Sequence, residues 1–93
     1  ETQLVGAAKK ALEQINSLRA DAVLTRPNGR VLILEAKRKL DMAGLGQLLT
    51  YRYFYCRKFR VPYRDIDLAI VYEEDKEELH GIYSQEDIEL FKV

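Results

Sequence analysis

The sequence has one cysteine, Cys56, one histidine, His80, and two prolines in 93 residues. With a lone cysteine the chain can form no disulfide within itself and no cysteine-based zinc site, which fits a reducing, intracellular, cytoplasmic setting. Long apolar runs are also missing: the longest stretch four or five residues, far short of a membrane span, and nothing resembles a signal peptide. Repeats, linkers and low-complexity segments are absent. His80 sits alone in an acidic stretch and reads as a surface residue. Cys56 falls on the apolar side of an expected helix and reads as packing. The chain begins at Glu1 and not Met, so it reads as processed, trimmed or cut from something longer.

What is present suffices for a single domain, residues 1–93. A chain this short buries about 60–65% of its unfolded surface, enough for one modest core. A net charge of zero conceals an asymmetry. Residues 1–64 carry 13 Lys/Arg against 5 Asp/Glu, whereas residues 65–93 carry 2 against 10. Within the basic part, TYRYFYCRKFRVPYR (50–64) has five positive charges, no negative charge and six aromatic rings. Arg52, Arg57, Lys58, Arg60 and Arg64 are therefore candidate phosphate contacts, with rings available for stacking.

Periodicity supplies the elements. Residues 2–18 read as a helix with Val5, Ala8, Leu12 and Ile15 on one apolar stripe, on which Glu1 falls by extrapolation. Residues 19–25 read as a strand. Arg26-Pro27-Asn28-Gly29 is a turn, and residues 30–37 return as the second strand of a hairpin. A four-residue turn would set Arg30 near Thr25 and Leu34 near Asp21. The apolar run Val31-Leu32-Ile33-Leu34 suggests a central strand. Residues 42–59 read as a second helix, capped by Asp41 and ended before Pro62. Residues 66–72 are another buried-looking strand. The tail reads as a short strand at 80–83, then a short helix or strand from about 86. The fold class is α/β: a mixed sheet flanked by helices, in the order α-β-β-α-β plus a C-terminal strand or helix.

The residues that carry chemistry stand at the end of the apolar run. Period two puts Glu35 and Lys37 on one face of their strand. A structural ion pair is seldom placed at the end of a buried strand. Asp21 lies on the hairpin partner as a diagonal neighbour, and a one-residue bulge would bring both carboxylates to one spot. Two adjacent carboxylates repel unless a cation lies between them. Together with the Ala36 backbone carbonyl they would make a hard-oxygen site suited to Mg²⁺ or Mn²⁺. Such a metal can activate a water for phosphodiester hydrolysis, and Lys37 could orient that water or neutralise a phosphate.

Asp21…Glu35-Ala36-Lys37 on a hairpin resembles the motif of the PD-(D/E)xK nuclease superfamily. Gln47 and Tyr51, at i and i+4 in the next helix, resemble the Q-x-x-x-Y element of its RecB-like branch. The resemblance covers roughly residues 1–72. It implies a restriction-endonuclease-like core and a metal-dependent deoxyribonuclease acting by a metal-activated water. It also implies that Asp21 and Glu35 are metal ligands and Lys37 the catalytic lysine, with Gln47 and Tyr51 positioning the site or the DNA. Glu1 matches the acidic residue that the family often carries on its first helix. Two departures stand out: Arg19-Ala20 precedes Asp21 in place of proline, and the first core strand has no room before Asp21. The alternative is a non-catalytic nucleic-acid-binding or assembly module on the same fold. Ninety-three residues leave little room for a separate recognition domain, so a homodimer, a larger parent protein or a complex would supply specificity.

Overall fold

The computed structural model of the protein describes residues 22–93. The expected helix 2–18, Glu1, residues 19–20 and Asp21 lie outside the described residues. In chain order the elements are β1 (Ala22–Thr25), β2 (Val31–Lys39), α1 (Met42–Phe59), β3 (Ile66–Glu74), α2 (His80–Gln85) and β4 (Ile88–Lys92), with 3₁₀ turns at Tyr63–Asp65 and Glu77–Leu79. The four strands form one mixed sheet in the order β1-β2-β3-β4. β1 pairs antiparallel with β2, while β2–β3 and β3–β4 are parallel. Each parallel pair requires a crossover, and α1 and α2 supply the two.

The first hairpin departs from the expected register by one residue. Thr25 pairs with Val31, not with Arg30, and Ala22 pairs with Leu34. The cause is the turn. Gly29 takes a positive φ of 86°, its N–H donates to the Arg26 carbonyl at 2.8 Å, and the Arg26 N–H donates to the Arg30 carbonyl at 2.8 Å. Pro27-Asn28-Gly29 is thus a three-residue loop closed by a left-handed glycine, a common hairpin form. The Asn28 side chain steadies it by accepting from the Arg30 N–H at 3.0 Å.

The core lies on one face of the sheet. Val31 and Ile33 of β2, Ile66, Leu68, Ile70 and Tyr72 of β3, and Ile88 of β4 meet Leu45 and Leu48 of α1 and Tyr83 of α2. β2 is central, with a neighbour on each edge, and its inward residues are more buried than Leu32 and Leu34 on its other face. α1 is capped as expected: the Asp41 carboxylate accepts the Gly44 N–H at 2.9 Å. It stops at Arg60, which adopts the left-handed conformation two residues before Pro62. Arg57 and Lys58 in its last turn complement the helix dipole.

One expectation for the tail is corrected, and one open alternative is decided. Residues 80–83 are helical, because Leu79 and Tyr83 are both buried at helical spacing while Ile82 between them is exposed. The final segment is a strand, with Ile88 buried and Leu90 half-buried while Glu89 and Phe91 are exposed. The strand 66–72 runs on to Glu74.

At the amino ends of the parallel strands an ion-pair cluster ties the hairpin loop to the sheet. The Arg30 guanidinium donates to Asp67 through Nη2 at 2.7 Å and Nε at 3.1 Å, and to the Arg64 carbonyl at 2.7 Å. Arg26 adds weaker contacts to Asp67 and Glu89, each at 3.5 Å. The Arg30 hydrogen bonds outweigh partial burial and hold the Asp67 carboxyl below the usual range. A carboxyl whose folded pKa is depressed contributes stability above its unfolded pKa of ~3.9 and loses it as pH falls through the folded value. Asp67→Asn is therefore expected to cost about 1–2 kcal/mol at neutral pH. It should also flatten the acid limb of stability below about pH 4. Urea unfolding of both proteins at neutral and acid pH measures this, and an unchanged midpoint at neutral pH would contradict it.

Candidate active site

β2 turns Val31, Ile33, Glu35 and Lys37 to the face that α1 covers. The first two anchor the strand in the core, and Glu35 follows them with only 7% of its surface exposed. In the parallel ladder Glu35 pairs with Ile70 and Lys37 with Tyr72. A carboxylate seldom reaches such burial without a specific interaction to offset its desolvation. The same-face placement of Glu35 and Lys37 and the central position of the strand both match the expectation from the sequence.

Lys37 is half-buried, and its Nζ lies 3.2 Å from the Asp41 carboxylate. Asp41 is held on three sides. Its carboxylate caps α1 through Gly44, its carbonyl accepts the Tyr83 hydroxyl at 2.6 Å, and its side chain faces the Lys37 ammonium. Partial burial raises the Asp41 pKa, but the Gly44 N–H, the Lys37 ammonium and the Ala43 N–H together outweigh it, and the carboxyl ends below the usual range. The Tyr83 hydroxyl moves the other way. Burial first, then the Asp41 charge, push it up to about 12, so it stays a neutral donor. Lys37, Arg38, Lys39, Asp41 and Glu74 line a shallow, open depression beside this junction. Three cations against two carboxylates give it a positive bias suited to a phosphate.

Gly44 makes the junction tight. A Cβ there would stand 2.7 Å from Ile70 Cδ1, 2.9 Å from the Tyr83 hydroxyl and 3.1 Å from Lys37 Cδ. The first turn of α1 thus rests directly on the Lys37 stem, which limits the positions the ammonium can reach.

Gln47 and Tyr51 follow on α1, both half-buried, and Tyr51 packs against the core cluster. Arg57, Lys58, Arg60 and Arg64 are exposed. Arg52 is not. Expected among the phosphate contacts, it is only 7% exposed, with its guanidinium 4.2 Å from the Tyr63 ring centroid and 4.0 Å from Glu86. It shares the inward stripe of Leu45 and Leu48, so it serves packing. Asp21 and Glu1 lie outside the described residues. No group of three or more His, Cys, Asp or Glu suited to a metal occurs among the described residues. None of their helices is long and apolar enough to cross a membrane.

The sequence pattern missed the wider roles of Asp41, Gly44 and Tyr83. Asp41 was legible as a helix cap, and its spacing from Lys37 was a weak signal for an ion pair. Tyr83 arrives on α2, packed on the same face of the sheet as α1 but 42 residues after Asp41, with no local signal.

No protein-family model, no curated protein and no solved structure matches this chain.

The Gly44 contact yields a prediction of unusual sign. Glycine to alanine in a helix normally stabilises by about 1 kcal/mol, whereas overpacking costs about 1–3 kcal/mol. Gly44→Ala is expected to lower stability by about 1 kcal/mol on balance, read by thermal or urea unfolding. A rise in melting temperature would contradict the close approach.

Proposed function

We propose that this chain is the core of a metal-dependent nuclease that hydrolyses DNA phosphodiester bonds, a restriction-endonuclease-like variant of the mixed sheet. The observation that carries the reading is Glu35: a carboxylate buried on the covered face of a central strand, one position in the pleat before a lysine whose ammonium is held by a capping aspartate.

Asp21 is covalently next to Ala22, the residue paired with Leu34. Asp21 is proposed as the second carboxylate of the site on the sequence motif alone. The donor set of Asp21, Glu35 and the Ala36 carbonyl is all hard oxygen, which fits Mg²⁺ or Mn²⁺. When bound, the cation would neutralise phosphate charge and make a water acidic enough to attack.

The chain's own residues do the rest. Glu35 is carried on a strand paired on both edges, so its carboxylate is fixed more firmly than one on a loop. The Lys37 ammonium has three donors. One is directed at Asp41, and the others can meet a phosphate oxygen or orient the water. Net reaction exchanges one P–O bond of the backbone for a bond to the water oxygen, and the departing oxygen takes a proton. The depression lined by Lys37, Arg38 and Lys39 would receive the phosphate, and Gln47 and Tyr51 would contact the site or the DNA from α1.

The second reading is favoured by the exposed Arg57, Lys58, Arg60 and Arg64: a nucleic-acid-binding or assembly module without cleavage. It predicts steeply salt-dependent DNA binding and no hydrolysis with any metal.

Incubation of the full chain with DNA and Mg²⁺ or Mn²⁺ separates the two. Cleavage should vanish with a chelator. Glu35→Gln and Lys37→Ala should each lower the rate by about a hundredfold or more while leaving DNA affinity within a few-fold. Full Mg²⁺-dependent cleavage by Glu35→Gln would refute the nuclease reading.

A further inference from the structure

The outward face of α1 has chemistry that cleavage does not require. Tyr53 and Phe54 expose 49% and 40% of their surfaces, although aromatic rings normally contribute to a core. Their rings meet edge to face, with centroids 5.2 Å apart and planes at 88°. One turn on, the Arg57 guanidinium lies 5.1 Å from the Tyr53 centroid, and Lys58 is exposed beside it. Residues 53, 54, 57 and 58 share the side of the helix opposite Leu45, Leu48 and Arg52. Past the helix end, Arg60 and Arg64 are also exposed, and residues 50–64 contain no carboxylate.

We propose that this face binds single-stranded DNA, stacking unpaired bases on Tyr53 and Phe54 while Arg57 and Lys58 contact the phosphates. The proposal rests on the polynucleotide substrate of the reading above, and it names that substrate's form. Charge decides the class of partner: a run of cations without one acid fits a polyanion. The rings decide the form. In a duplex the faces of the bases are covered by their neighbours, so two exposed rings gain nothing from it. An unpaired strand offers a flat apolar face and a phosphate at every step, which matches aromatic and basic groups interleaved on one helix face. Tyr53 follows Gly44 by nine residues, about 14 Å along the axis, so a strand held there can reach Lys37 within a few nucleotides.

The test is fluorescence anisotropy with the full chain in chelator, which blocks metal-dependent cutting. The probes are a labelled short oligothymidylate and a labelled duplex of the same length. The wild type should prefer the single strand. The double variant Tyr53→Ala/Phe54→Ala should weaken single-strand binding by about tenfold or more and duplex binding far less. Tyr53→Leu/Phe54→Leu should weaken it comparably, since bulk without an aromatic face cannot stack. Arg57→Ala/Lys58→Ala should weaken both probes and reduce the salt slope by about 2. Circular dichroism checks that each variant keeps its fold.

Wild-type single-strand affinity in Tyr53→Ala/Phe54→Ala, or a wild-type preference for duplex, would overturn the proposal. So would self-association through this face without nucleic-acid binding, which would mark a protein interface. A chain that binds single strands through these rings but cuts nothing supports the proposal and refutes the nuclease reading. A chain that cuts single and double strands in the same ratio with and without the two rings refutes the proposal and leaves the nuclease reading standing.

Discussion

The pairing of β2 between β1 and β3 is the constraint on which the rest depends. Val31 and Ile33 commit the strand to the core, and the parallel register with Ile66–Glu74 then fixes every residue beyond them. Glu35 is buried because it is next in that pleat, and Lys37 shares its face for the same reason. A slip of one residue would exchange the two faces, turning Leu32 and Leu34 inward and the charged pair outward. The hydrophobic half of the strand therefore sets the position of the charged half.

A second restraint comes from the junction that follows. Asp41 caps α1, receives the Tyr83 hydroxyl and faces Lys37, so three elements converge on one residue. Gly44 lets the helix settle onto the lysine stem. The ammonium is held from below by the strand, from above by the helix and at its tip by the capping carboxylate. Such a lysine is oriented before any ligand arrives. At the opposite end of the strands, Arg30 and Asp67 hold the hairpin loop against β3, so the two ends of the sheet have separate charge clusters.

Much of this was legible in the sequence, and the limits have physical causes. The helix Met42–Phe59 could be read from Asp41 and Pro62, because capping and proline act locally. The shared face of Glu35 and Lys37 follows from the period of a strand. The hairpin register was missed by one residue, since the pattern does not say whether Asn28-Gly29 closes a loop of three or four. His80–Gln85 was misread because a short apolar segment fits both periods, and only the burial of Leu79 and Tyr83 together decides. Arg52 was grouped with its basic neighbours by sequence, although the helical stripe already put it inward. The convergence of Lys37, Asp41 and Tyr83 is a tertiary fact with no local sign.

The central claim is the proposal that Glu35 is a metal-ligating carboxylate. A crystal of the full chain soaked in Mn²⁺ and measured at the manganese edge tests it most directly. The account predicts an anomalous peak bonded to the Glu35 carboxylate and the Ala36 carbonyl, with oxygen distances of about 2.0–2.2 Å. A fully soaked crystal with no peak at Glu35 would contradict it.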